Sequence, residues 1–299
     1  MPVVQANGLD IHYRIDGAGP ETLVLINGVG DDLEGWGFQR GDFAAAGLRV
    51  VTFDNRGSGG SSHPPGPYTS QQMAADTKGL VDALGLAPLH LCGVSMGGVI
   101  AQEYAIAYPG DLRSVVLANT YAVADPLTYA AFESWALVAE TAGMPMMMLQ
   151  QAPWVFSTDF YAHQPGRLAE FLGEMERTTQ PASSFVAQIA ALIGHDAAGQ
   201  LGSITTPALV IASADDIIIK PALSRSLHDG LPQATWALLP GGHATFLEDP
   251  GVWNAAVLDF IGQHRVQPRT SGGDGTPERR DSAQSDPGQS GRGQQDTAQ

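Results

Sequence analysis

The segment Leu89-His90-Leu91-Cys92-Gly93-Val94-Ser95-Met96-Gly97-Gly98 constrains this chain more than any other. An apolar run of strand length enters a Gly-x-Ser-x-Gly turn and continues as a helical pattern from Gly97 to Tyr108, stopped by Pro109 and Gly110. A serine on so sharp a strand-to-helix turn is forced into a strained backbone conformation. It needs residues without side-chain bulk two positions before and after it, here Gly93 and Gly97. The hydroxyl then stands at a helix N-terminus, whose unpaired N–H groups favour developing negative charge. The pentapeptide alone is common in loops; the strand before it and the helix after it make Ser95 a candidate nucleophile.

A hydroxyl titrates far above neutrality, so a serine nucleophile requires a base and a group that orients the base. Two later strand ends offer them in the chain order such sites use: Leu209-Val210-Ile211-Ala212-Ser213-Ala214-Asp215-Asp216 and Leu238-Leu239-Pro240-Gly241-Gly242-His243. His243, after two glycines and before Phe246-Leu247-Glu248-Asp249-Pro250 and a helix, has little reason to be a core residue and is the candidate base. Histidines 12, 63, 90, 163, 195, 228 and 264 lack such a setting and read as surface or hydrogen-bonded structural residues. Asp215 and Asp216 both lie just past their strand, and only one can face the histidine.

Over residues 1–120 short Val/Leu/Ile runs alternate with helical patterns, which predicts an α/β fold with a mostly parallel central sheet and helices on both faces. Predicted strands are Leu9 to Ile15, Thr22 to Ile26, Val50 to Phe53, Leu89 to Val94 and Ser114 to Ala118. The segment Ser70 to Leu84 reads as a helix with Ser70 at its N-cap and Gly85 past its end. The alternation resumes over 204–264 with strands at Ala208 to Ala212 and Thr235 to Leu239 and helices at Ala222 to Asp229 and Val252 to Ile261. Residues 121–203 carry helical patterns at Tyr129 to Ala142, Arg167 to Thr178 and Ser183 to Ile193, separated by prolines 145, 153, 165 and 181, and predict a helical cap insertion. Residues 265–299 are Pro, Gly, Ser, Gln and charge and read as a disordered tail, since they cannot offset their ordering entropy by burial.

Over residues 3–262 the chain resembles the α/β-hydrolase superfamily, in particular its 3-oxoadipate enol-lactonase-like and carboxylesterase group. Ser213-Ala214-Asp215-Asp216-Ile217-Ile218 is similar to that group's Gly-x-x-Asp motif when Ser213 takes the glycine place, and this selects Asp216 as the acid. Asn27-Gly28-Val29-Gly30 stands where many members carry His-Gly. The resemblance implies an oxyanion hole made by the backbone N–H groups of Val29 and Met96, which a side-chain change at Asn27 does not disturb. Asp54-Asn55-Arg56-Gly57-Ser58-Gly59 also matches the group and reads as a structural turn. Relatives that open epoxides or remove halide use an aspartate at the position of Ser95, which disfavours that chemistry here.

The resemblance implies a hydrolase working through an acyl-enzyme, with no metal and no organic cofactor. Phe132, Trp135, Met147 and Trp154 are candidate pocket residues within the cap. The only cations in the cap are Arg167 and Arg177, against eight acids, and Asp31, Asp32 and Glu34 follow the oxyanion segment, so the expected substrate is a largely neutral, apolar ester or lactone. Carbon–carbon bond hydrolysis and acyl-homoserine lactone opening use the same three residues, and a non-hydrolytic ligand-binding or cyclising role belongs to another class. A net charge of -16 argues against nucleic acid as a partner. Cys92 has no second thiol to pair with, the N-terminus has no signal-peptide pattern and no apolar run reaches about 18 residues, so a cytoplasmic protein without membrane insertion is expected. Oligomeric state has no sequence signal.

Overall fold

The computed structural model describes residues 2–265. Eight strands form one sheet in the order β1-β2-β4-β3-β5-β6-β7-β8, with β1 at Val3–Ala6, β2 at Leu9–Asp16, β3 at Glu21–Ile26, β4 at Leu48–Phe53, β5 at Leu89–Val94, β6 at Leu112–Ala118, β7 at Ala208–Ser213 and β8 at Ala234–Leu239. β2 pairs antiparallel with β1 and with β4, and every other pairing is parallel. The continuous apolar runs become the central strands β3, β5 and β7, buried along their whole length as a sheet covered on both faces requires.

Helices α1 (Gly37–Ala45) and α11 (Pro250–Gln263) pack together on one face, while α2 (Ser70–Leu84), α3 (Met96–Ala107) and α9 (Pro221–Gly230) cover the other. β1 and α1 carry little sequence signal. β1 is four residues long, and the inner face of α1 includes the polar residues Gln39 and Arg40. Both are buried because they bond to backbone: Gln39 donates to the carbonyl of Phe246 at 2.7 Å and Arg40 to that of Leu33 at 2.7 Å. The N-cap of α2 is Thr69, not Ser70. Thr69 and Gln72 close a reciprocal capping box, and Ser70, one residue inside, donates to Glu103 at 3.1 Å instead.

Between β6 and β7 lie five α-helices, a 3-10 turn at Ala198–Ser203 and no strand: α4 (Pro126–Ala142), α5 (Met144–Val155), α6 (Thr158–His163), α7 (Pro165–Met175) and α8 (Ala182–Ile193). Pro145 and Pro165 sit in first turns, where the missing N–H costs nothing, but Pro153 lies inside α5 and separates nothing. The folded chain also continues through Arg265, which the sequence assigns to the tail. Its guanidinium donates to the carbonyl of Ala46 at 3.0 Å and pairs with Glu21 at 3.4 Å, contacts that composition cannot reveal. The rest of the expected tail lies outside the described residues. Among those described, no helix is long and apolar enough to cross a membrane.

Candidate active site

Ser95 links the last residue of β5 to the first of α3 with φ 55° and ψ −115°, a left-handed conformation that a residue with a side chain rarely adopts. Its neighbours show what holds it there. A Cβ on Gly93 would lie 2.0 Å from the carbonyl oxygen of Gly97, and one on Gly97 would lie 2.0 Å from that of Ile26. Only glycine lets strand, turn and helix approach so closely. The serine's own N–H donates to the carbonyl of Ala118 at 2.9 Å, and its carbonyl accepts from Thr120 Oγ1 at 3.0 Å, so the conformation is held by the end of β6 and the residues just past it.

Asp216 follows β7 and is buried at 3 % exposure, whereas Asp215 is exposed. The Asp216 carboxylate accepts backbone N–H bonds from Ile218 at 3.0 Å and Ile219 at 2.8 Å on one oxygen. The other oxygen meets His243 Nδ1 at 2.7 Å and accepts from Asn119 Nδ2 at 3.1 Å. Ser213, in the glycine place, is fully buried: its hydroxyl accepts from Asn119 at 2.8 Å and from Thr245 at 2.6 Å. Asn119 thus ties both residues to the end of β6. Its only sequence sign is its position at a strand end, although its φ of 48° is a conformation asparagine tolerates.

Ser95 and His243 open onto one cavity of about 700 Å³, together with Gly28, Val29 and Gly30. A Cβ on Gly28 would stand 3.6 Å from that of Ser95, so the Asn27–Gly30 turn lies against the serine. Met96 leads α3 with an N–H that the helix ladder leaves unpaired. Phe132 and Trp135 line the cavity from α4. Met147 does not: it is fully buried in the core, and one residue along the helix Met148 takes its place, lining the cavity with Gln151 and Val155 at helical spacing. Trp154 lies off that stripe and packs against the core as a partly buried side chain. Ser58 and Gly59 also reach the cavity, although their loop reads as a purely structural turn. Asp54, in the same loop, is structural: it accepts from the N–H groups of Leu33 at 2.7 Å and Gly60 at 2.8 Å.

Glu248 carries no sequence signal of its own, yet it joins the helical insertion to the histidine loop. It accepts from the Ser157 N–H at 2.6 Å, the Ser157 hydroxyl at 2.7 Å and the Gly242 N–H at 3.3 Å. Beside it Ala244 N–H donates to the carbonyl of Val155 at 2.8 Å.

Asp31 is the one lining acid whose titration is strongly displaced. Burial first, then the neighbouring charge of Asp32, push its carboxyl up to about 7, with His243 across the cavity opposing the rise. The folded chain therefore keeps this proton through a window, from about pH 4 to about pH 7, where the unfolded chain has released it. The stability this contributes is complete below pH 4 and lost as pH rises through 7. Asp31→Asn should accordingly gain on the wild type in Tm by a few degrees between pH 5 and pH 8. A difference in Tm that is flat across that range would show the carboxyl to be ordinary.

Comparison with known proteins gives a family model described as alpha/beta hydrolase fold, matched over residues 21–250. A protein of Caulobacter sp. (strain K31) designated a carbamate hydrolase, RutD, is 31% identical over 265 residues, covering 86% of this chain and 98% of its own. The crystal structure of an enol-lactonase from Burkholderia xenovorans LB400 superposes with a TM-score of 0.81 at 30% identity, covering 87% of this chain and 100% of that one. A hydrolase from Pseudomonas aeruginosa PA01 gives 0.80 at 30% identity, covering 87% and 98%.

Proposed function

The chain belongs to the α/β-hydrolase fold family, and from that premise we propose that it is a serine hydrolase cleaving a carboxylic ester or lactone of a largely neutral, apolar small molecule. The observation that carries this reading is the 2.7 Å bond from Asp216 to His243 Nδ1 at the rim of the cavity that also holds Ser95. With Nδ1–H engaged, Nε2 is the free base, so His243 takes the proton as Ser95 attacks the carbonyl. The backbone N–H groups of Val29 and Met96 would hold the oxyanion, each worth about 3 to 4 kcal/mol in the transition state. The alcohol leaves with a proton from His243, and water hydrolyses the acyl-enzyme.

The cavity walls support the substrate class. Phe132, Trp135, Met148, Val155, Phe156 and Phe171 make them apolar, while Asp31, Asp32, Glu34 and Glu174 outnumber Arg177. A dianionic lactone would meet net repulsion. A second reading follows from the carbamate-hydrolase designation of the near-full-length relative, since an acyl-transfer site also accommodates a carbamate carbonyl.

The test is a panel of p-nitrophenyl esters of rising chain length, neutral and dianionic lactones, an acyl-homoserine lactone, a vinylogous diketone and a carbamate. Neutral esters are expected to exceed the dianionic lactone in kcat/KM by at least about a hundredfold. Fast turnover of the dianion would defeat the neutral-substrate assignment. A fluorophosphonate should modify Ser95, and labelling should vanish in His243→Ala. A chain that binds ligand but resists the probe would instead be a receptor.

A further inference from the structure

Beside the cavity, at the turn that faces Ser95, lies a hole of about 10 Å³ bounded by Asn27, Gly28, Asp31, Gly35, Trp36, Val94 and Phe246. Gly28, Asp31, Gly35, Val94 and Phe246 border the main cavity as well. Its walls are mainly apolar, but two of the residues that border it carry unpartnered polar atoms. Nδ2 and Oδ1 of Asn27 and Nε1 of Trp36 are buried with no hydrogen-bond partner among the described residues, and Asn27 is only 2 % exposed. A Cβ on Gly28 would stand 3.2 Å from Asp31 Oδ2 and 3.6 Å from the Cβ of Ser95, so Gly28 adjoins both the carboxyl and the serine side chain.

Buried polar atoms left without partners are costly, and sets of them persist where another molecule supplies the missing bonds. This set is mixed. Asp31 and Asn27 Oδ1 accept; Trp36 Nε1–H and Asn27 Nδ2 donate. The group that satisfies both kinds from one heavy atom is a hydroxyl. An ammonium only donates and would leave the indole N–H facing a cation.

We propose that this recess is a subsite for one hydroxyl, carried on the carbon next to the scissile carbonyl, and that Asp31 is the residue that selects 2-hydroxy acid esters or lactones. The inference rests on Ser95 acting as the nucleophile. Its placement follows from the neighbours of Gly28, which adjoins Ser95 on one side and Asp31 on the other, so the substituent nearest the recess in an acyl group held on Ser95 is the one on the carbon next to the carbonyl. The raised carboxyl of Asp31 agrees with a half-buried group that faces the cavity without a hydrogen-bond partner among the described residues. The charged groups facing it are Asp32 on its own turn and His243 on the loop after β8.

The experiment compares p-nitrophenyl lactate, p-nitrophenyl propionate and the alanine ester in wild type, Asp31→Asn, Asp31→Ala and Ser95→Ala, each rate divided by the ester's hydroxide-catalysed rate. The corrected kcat/KM of wild type should favour lactate over propionate by on the order of tenfold to a hundredfold. Asp31→Ala should reduce that ratio to near one, and Asp31→Asn should restore part of it. The ratio should also rise between pH 6 and pH 8.5 as Asp31 loses its proton and accepts through both oxygens, an effect that dividing the two esters' rates isolates from changes common to both. Equal corrected rates for lactate and propionate with Ser95-dependent turnover would overturn the subsite and leave a fixed water in the recess. So would a preference unchanged by Asp31→Ala, or a stronger preference for the alanine ester. If turnover survives Ser95→Ala, the nucleophile assignment fails, and the subsite falls with it.

Discussion

Ser95→Ala is expected to lower kcat/KM for the best ester of the panel by roughly ten-thousand-fold to a million-fold. The loss should appear mainly in kcat, because the cavity walls that hold the substrate are unchanged and only the atom that forms the acyl bond is removed. What remains should still exceed the rate in water, since the oxyanion donors are backbone groups and survive the change. Stability should barely move. The contacts that fix residue 95 run through its N–H to Ala118 and its carbonyl to Thr120, and alanine keeps both. A melting temperature within about 2 °C of wild type together with the kinetic loss separates a missing nucleophile from a missing fold. Activity within about tenfold of wild type would remove Ser95 from the chemistry.

The second large effect concerns the acid. Asp216→Asn should reduce kcat by about a thousandfold to ten-thousand-fold, against less than about threefold for Asp215→Asn. An amide at 216 no longer holds the proton on Nδ1 of His243, so the imidazole can present its protonated nitrogen to the serine and cease to be a base. Asp215 has no such role: it is exposed, and its backbone N–H simply reaches the carbonyl of Gly241 at 3.0 Å. Steady-state kinetics on the two variants decide the matter, and a larger loss at 215 would reverse the assignment.

These positions differ in how plainly the chain announces them. Ser95 is legible because strain and close approach are written in residue types: nothing but glycine fits at 93 and 97. His243 is legible from two glycines at a strand end. Asp216 is half legible, because two adjacent acids reverse direction with each step along an extended chain, and only the turn toward Ile218 and Ile219 decides which one is buried. The sheet is legible in its buried centre, where β3, β5 and β7 are apolar throughout, and poorly at β1 and α1, whose inner faces are short or polar. The cap pocket is the least legible. Met147 and Met148 are the same residue type one helical step apart, and only the rotation of α5 sends one into the core and the other to the cavity. Asn119 and Glu248 belong to contacts between distant segments, which no local pattern encodes.

Glu248 anchors Ser157 and Gly242 at once, and Ala244 is bonded to Val155, so the roof of the chamber and the segment bearing the imidazole form one mechanical piece. Hinging that roof upward would drag the imidazole away from the serine and dismantle the proton relay with every visit of a molecule. Entry and exit through openings that leave this seam shut would let molecules come and go while His243 keeps its bond to Asp216.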